Sequence, residues 1–299
     1  MIDYRHRTFL QLCRIKNYTK TAAELNITQP AVSQHIKHLE KYYGVKLFNY
    51  SGKKLIITEA GQKLFKYAER MAADSSEIKK ALSENDRIKQ VKFGATLSIG
   101  EFVMPDILLE IFENYPRLRF DMLVQNTQVL IDRLKKGEIN FAVLEGFFDK
   151  SKFGHQIFSR EEFIGVCSPE SELCDRKVRL EDLLNSRLIL RENGSGTRDI
   201  LEQILYKNNF SKNSFKSTVE IGNMNAIKKL VAGGRGISFL YKAAAENELK
   251  KGVLAQIDII DFDVWREFNF VYQKDSIFED DYQQYFNLFL QSCSTHRKQ

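Results

Sequence analysis

Two short stretches concentrate side chains able to recognise another molecule. The first runs Thr28-Gln29-Pro30-Ala31-Val32-Ser33-Gln34-His35-Ile36-Lys37. Wound as a helix, it puts Val32, Ile36, Leu39 and Tyr43 on one apolar stripe and leaves Pro30, Ser33, Gln34, Lys37 and Lys41 on the other side. A glutamine amide can bond adenine at two points, a serine hydroxyl donates or accepts, and a lysine reaches guanine or phosphate. Thr19, Gln29, Lys46, Lys53 and Lys54 suit backbone phosphates, which position a protein without reading sequence. The second stretch, Gly194-Ser195-Gly196-Thr197-Arg198, leaves an apolar run and opens a helical one. Unpaired amides and the positive dipole end of a helix favour a carboxylate, sulfate or phosphate, and Ser195 and Thr197 add hydroxyl donors. Thr96 with Ser98, and Asn126 with Thr127, hold similar strand-to-helix turns, where α/β sheets bind ligands. Arg191 and Arg198 could neutralise an anion or pair with acids such as Glu192.

Other chemistries find no support. There is no Gly-x-Ser-x-Gly, P-loop or His-Glu-x-x-His, and the five histidines lack metal spacing, so neither an enzyme, a cofactor nor a metal site is expected. Gly233-Gly234-Arg235-Gly236 joins a helix to a strand, the reverse of a dinucleotide fingerprint. Cys13, Cys167, Cys174 and Cys293 are scattered, without a disulfide framework. Only Cys167 and Cys174 are near enough in sequence for a thiol redox reading. No apolar run is long enough for a membrane span and no signal-peptide core follows Met1. A cytoplasmic, nucleoid-associated protein is the expectation.

These side chains need a scaffold, and the periodicities outline one. The chain has 299 residues, a prior of about two domains. Its formal charge of +6 is uneven: residues 1–90 carry 17 Lys and Arg against 9 Asp and Glu, leaving the remainder slightly acidic. A basic N-terminal third points to nucleic acid. Helices are expected over Thr8–Ile15, from the N-cap Asn17, and from the N-cap Thr28 to Gly44. Short strands follow at Val45–Phe48 and Leu55–Ile57 about a Ser51-Gly52-Lys53-Lys54 turn. From Thr58 to about Asn85, Leu64, Ala68, Met71, Ser75, Ile78 and Leu82 form a heptad seam, which suits a dimerising helix. Beyond Gln90, strands alternate with helices (strand Val91–Thr96, helix Ile99–Asn114, strand Ile139–Leu144, strand Phe163–Cys167, helix Thr197–Asn208), the pattern of parallel sheets in two lobes.

Residues Asn17 through Ile36, then Leu39-Glu40, Gly44, Leu47-Phe48 and Thr58-Glu59-Ala60-Gly61, resemble the N-terminus of LysR-type transcriptional regulators. The similarity continues through Gly94–Pro105 and Arg191–Arg198. It implies an α/β protein with an all-α winged helix-turn-helix head at 1–58, a dimerising linker helix at 59–88, and a two-lobed effector domain at 89–299 like type 2 periplasmic binding proteins. It also implies a homodimer or homotetramer on double-stranded promoter DNA, a small anionic effector, and RNA polymerase as a further candidate partner. The family's arginine two residues after Leu-Phe is here Tyr50, which shifts phosphate anchoring to Lys53 and Lys54. The competing readings are a cytoplasmic solute-binding protein without specific DNA recognition and a thiol redox sensor.

Overall fold

The computed structural model describes residues 3–52, 54–83, 90–260 and 262–296. The chain forms two compact units, residues 1–85 with 135–138, and the remainder.

In the first unit, α1 (Tyr4–Ile15), α2 (Tyr18–Glu24) and α3 (Gln29–Tyr43) precede a hairpin of β1 (Phe48–Ser51) and β2 (Lys54–Ile57). Local chemistry sets the boundaries. Asp3, Asn17 and Thr28 each accept a first-turn amide through their side chains. Gly44 closes α3 at φ 69°, a left-handed conformation that costs glycine little. Phe9, Leu12, Val32, Ile36, Leu39 and Leu47 form the core, each at most 2% exposed. The expected α3 stripe is shorter than its periodicity suggests: Tyr43 is 41% exposed, and its hydroxyl bonds His6 Nε2 at 2.9 Å. The long helix α4 (Glu59–Ser83) begins at Thr58, whose Oγ1 accepts the Gly61 amide. Its expected seam divides, because Ala68 is buried against Leu10 while Met71 and Ile78 are exposed. The side chain of Leu82, the end of the 59–88 segment, and Lys53 lie outside the described residues.

In the second unit, β3 (Gln90–Ala95) leads through α5 (Leu97–Phe102) and α6 (Met104–Asn114) to β4 (Arg119–Val124), then α7 (Thr127–Lys135) and β5 (Phe141–Leu144). The single helix expected over Ile99–Asn114 is broken at Val103; Pro105 in the first turn of α6 has no amide to continue α5. Next, β6 (Phe153–Cys167) is 15 residues long, ten more than the expected Phe163–Cys167 strand. It is followed by β7 (Arg187–Leu190), α8 (Gly196–Lys207), β8 (Ser217–Glu220), α9 (Met224–Ala232), β9 (Ser238–Tyr241), α10 (Lys242–Lys250) and β10 (Ala255–Gln256). Finally β11 (Trp265–Gln273) and α11 (Glu279–His296) return to the first half.

Parallel pairing holds for β3 with β4 and β5, and for β7 with β8. The sheets are nevertheless mixed, because β11 runs antiparallel to β5 and β6, and β6 runs antiparallel to β9 and β10. Strand β6 thus belongs to both halves: its start pairs with β11 and its end with β9 and β10. The aromatic rings of Phe93, Phe141, Phe270 and Phe289 meet between the first sheet and α11, with centroids 4.5–5.5 Å apart. No described helix is long and apolar enough to cross a membrane.

Candidate functional site

The outer face of α3 is polar and open. Gln34, Lys37 and Lys41 are exposed, as are Thr19 on α2 and Lys54 at the start of β2. Pro30 lies in the first turn of α3, and Gln29 donates to Ser33 Oγ at 3.0 Å one turn on. The arrangement therefore offers hydrogen-bonding groups near the α3 N-terminus and lysines farther along. Lys46 is instead drawn to Glu40 at 2.8 Å, and the same carboxyl accepts the Leu47 amide. That carboxyl therefore ties the end of α3 to the hairpin. Tyr50, on the hairpin, is 67% exposed.

The second set converges inside the other unit. Thr96, Ser98, Thr127, Ser195 and Thr197 are each at most 7% exposed. Among them stands Glu145, immediately after β5 and 1% exposed. Its Oε1 accepts from Ser98 Oγ at 3.1 Å and from Thr197 Oγ1 at 3.0 Å, and its carbonyl oxygen accepts from Thr127 Oγ1 at 2.9 Å. The first turns of α5 and α8 therefore meet at one carboxyl group carried just after β5. A Cβ on Gly146 would stand 2.8 Å from Gly196 Cα, and one on Gly196 would stand 2.9 Å from the Glu145 carbonyl oxygen. Backbone meets backbone there, and only glycine permits it.

Several buried polar atoms in this cluster have no hydrogen-bond partner: Glu145 Oε2, Thr96 Oγ1, Arg191 Nη1 and the Tyr241 hydroxyl. Such orphans are uncommon in folded proteins and mark positions where another molecule can supply the partner. Arg191 is 2% exposed and holds Glu192 through two bonds, at 2.8 and 2.9 Å, which leaves Nη1 unengaged. Burial pushes the Glu145 carboxyl up to about 7, against the opposing pull of the Thr197 hydroxyl, the Arg191 charge and the Ser98 hydroxyl. Burial, with the Glu145 charge nearby, holds the Tyr241 phenol well above its ordinary range.

Other expected groups face different partners. Asn126 caps α7 by accepting the Val129 amide at 3.0 Å. Arg198 is buried, and its donors are taken by Glu202, Glu220 and the Arg191 carbonyl oxygen. Neither Ser195 nor Thr96 makes a side-chain capping bond, so each hydroxyl is not consumed in closing its helix. Cys167 and Cys174 do come together, with sulfurs 3.3 Å apart, but burial pushes the Cys167 thiol up to about 12 and keeps it protonated. A separate open cleft of about 510 Å³ is lined by the exposed cations Arg187, Lys216 and Arg235.

Glu145 and Tyr241 are absent from the residues picked out by sequence. Glu145 occupies the carboxyl end of a parallel strand, the same rule that selected Thr96 and Asn126, and an acid there could have been found by it. Tyr241 ends an ordinary apolar strand and gives no such signal.

The model for the bacterial regulatory helix-turn-helix protein, lysR family, matches residues 5–62, and that for the LysR substrate binding domain matches residues 85–293. The HTH-type transcriptional regulator CysL of Bacillus subtilis (strain 168) is 29% identical over 269 residues, 89% of each chain. The HTH-type transcriptional activator CmpR of Synechocystis sp. is 30% identical over 275 residues, 91% of this chain and 89% of CmpR. The CcmR regulatory domain of Synechocystis PCC6803, solved in complex with 2-PG, has the same fold as the second unit. Its TM-score is 0.59 at 21% identity, over 66% of this chain and 95% of that domain. With a polar-faced helix-turn-helix, a two-lobed α/β domain and family matches over both, this chain belongs to the LysR-type family of transcriptional regulators.

Proposed function

We propose that the protein binds promoter DNA as a homo-oligomer and changes that binding in response to a small anionic metabolite held around Ser98, Thr127, Ser195 and Thr197. The observation that carries the effector reading is the gathering of buried hydroxyls and the unengaged Arg191 Nη1 at the first turn of α8. Those groups favour an oxyanion through hydrogen bonds and the helix dipole. The 2-PG bound to the CcmR regulatory domain supports a small ligand in a domain of this fold.

In the DNA reading, α3 enters the major groove, Pro30, Ser33, Gln34 and Lys37 meet base edges, and Thr19, Gln29, Lys53 and Lys54 take phosphates. Its support is the open polar face of α3 above a well-packed core. Exposed Met71 and Ile78 on α4 support a helix-to-helix contact between copies. A two-fold dimer then requires half-sites about 34–36 Å apart, or multiples of that spacing. Ligand acts by shifting the population between two arrangements of the lobes.

The test is binding to DNA upstream of the protein's own gene, titrated at two salt concentrations against unrelated competitor DNA, with and without small oxyanions. Competitor-resistant binding that weakens steeply with salt and responds to one oxyanion is expected. Salt-dependent binding without preference over competitor at any genomic site would sink the reading. So would ligand binding by a chain with no DNA affinity, the outcome that a solute-binding protein predicts.

A further inference from the structure

Glu145 sets a problem for any anionic ligand. Of the hydroxyls collected in the cluster, those of Ser98 and Thr197 already bond Glu145 Oε1, and they stand 3.4 Å from one another. The main chain that carries the carboxyl group is fixed, because this strand end is pressed onto the first turn of α8 at Gly146 and Gly196. The carboxyl group is also sealed from water, with Oε2 unpartnered. The charged and titratable groups facing it are the Arg191 guanidinium, the Glu192 carboxylate that holds that guanidinium and itself opposes the Glu145 charge, and the Tyr241 phenol, which also faces Glu161 and Arg266. An ionised Glu145 therefore presents a net negative charge to whatever enters. It occupies two of the donors that an oxyanion would use.

Resting on the effector reading above, we propose that Glu145 is a built-in competitor of the effector, which admits a small oxyanion only together with one proton. The proton comes from solvent and settles on Glu145 Oε2. The ligand's oxygens take over the Ser98 and Thr197 hydroxyls, and the new O–H donates to the ligand where the carboxylate had repelled it. The one covalent change is this proton transfer: a bond to hydrogen in hydronium or a buffer acid breaks as the Glu145 O–H forms. Burial places the proton within reach near neutrality, since it raises Glu145 to about 7. Regulation by this site is then a joint response to metabolite and acidity.

Sulfate is a suitable probe, because its charge is constant between about pH 6 and pH 8.5, so that any pH dependence belongs to the protein. The full-length protein is titrated calorimetrically with sodium sulfate across that range, in paired buffers of different ionisation enthalpy. Affinity is expected to fall about tenfold per pH unit above about 7, with uptake of nearly one proton. Glu145→Gln keeps the shape and removes the charge; it should bind sulfate more tightly than wild type above neutrality and lose the pH dependence. Adding Thr197→Val to it should remove the sulfate site.

A wild-type affinity that does not change with pH overturns the proposal, and that measurement does not depend on any variant folding. So does a folded E145Q chain that fails to bind, which would assign Glu145 to a cationic or ammonium-bearing ligand. Unimpaired sulfate binding by the double variant would place the anion elsewhere and overturn it too. DNA binding without sulfate is read separately: if it is intact while these tests fail, the regulator reading stands and only the role given to Glu145 falls.

Discussion

Gln34 and Lys37 on α3 stand in solvent, and Gln29 and Ser33 bond one another along the helix surface. Around Glu145, by contrast, Ser98, Thr127 and Thr197 are shut away from water and bond across the fold. The two regions use the same kinds of groups. Their surroundings differ, and so does the effect of losing one. A polar group in water exchanges one hydrogen bond for another at little net cost, whereas an enclosed one that loses its partner bears its full desolvation penalty. The open face can therefore be altered for recognition without touching stability. The enclosed cluster links ligand, proton and fold.

The largest test of this contrast lies within one helix. Ile36, 2% exposed on the inner side of α3, should cost about 2–5 kcal/mol when changed to alanine, seen as a lower midpoint in chemical denaturation. Gln34→Ala, two residues away, should stay within about 0.5 kcal/mol of wild type. Comparable losses at both would abolish the distinction.

Next in size is the pH dependence of the enclosed acid. A carboxyl raised from its ordinary 4.5 to about 7 stays protonated in the fold while the unfolded chain ionises. Its contribution is fully present below the unfolded pKa and is lost as pH rises through the folded one. The shift corresponds to roughly 3 kcal/mol of stability lost between about pH 4.5 and pH 7. The Glu145→Gln variant should lack that slope when the two chains are melted across this range, and an identical slope in both would show that Glu145 is not its source.

On the open face, Gln34→Ala should lower discrimination at one base pair by about 1–3 kcal/mol if its amide bonds adenine at two points. Binding to a randomised-site library would reveal it, and an unchanged preference would remove Gln34 from the reading. The smallest effect is that of Lys54→Ala. It should weaken binding to all sequences alike and reduce the slope of log K against log salt by about 0.9. An unchanged slope would leave phosphate anchoring at the hairpin without Lys54.

The contrast also explains what could be read from the chain. Helix ends at Asn17, Thr28 and Gly44 depend on residues within one turn, so the α3 face and its caps followed from spacing alone. Hydroxyls at Thr96, Thr127 and Thr197 were legible as turn residues. The convergence of Ser98, Thr127 and Thr197 on Glu145 was not, because Ser98 and Thr197 lie 47 and 52 residues from it and meet it only in the fold. The first ten residues of β6 include Gly154, His155, Gln156 and Arg160 and lack a clean apolar alternation, since pairing with β11 rather than burial holds them extended. In α10, three consecutive alanines give no stripe. The break before α6 was written in Pro105.

The return of β11 and α11 has a consequence for synthesis. Between β5, which ends at Leu144, and its partner β11, which begins at Trp265, the chain builds the whole other half of that unit. Phe289, which is fully buried and closes over Phe93 and Phe141, comes within the last turns of α11. Emerging from a ribosome, the inserted half can collapse first, while the first-made half waits for β11 and α11 with its aromatic rings uncovered. Chains terminated early are thus expected to be sticky rather than merely inactive. The helix that renders the first sheet soluble, α11, is made after all the strands of that sheet.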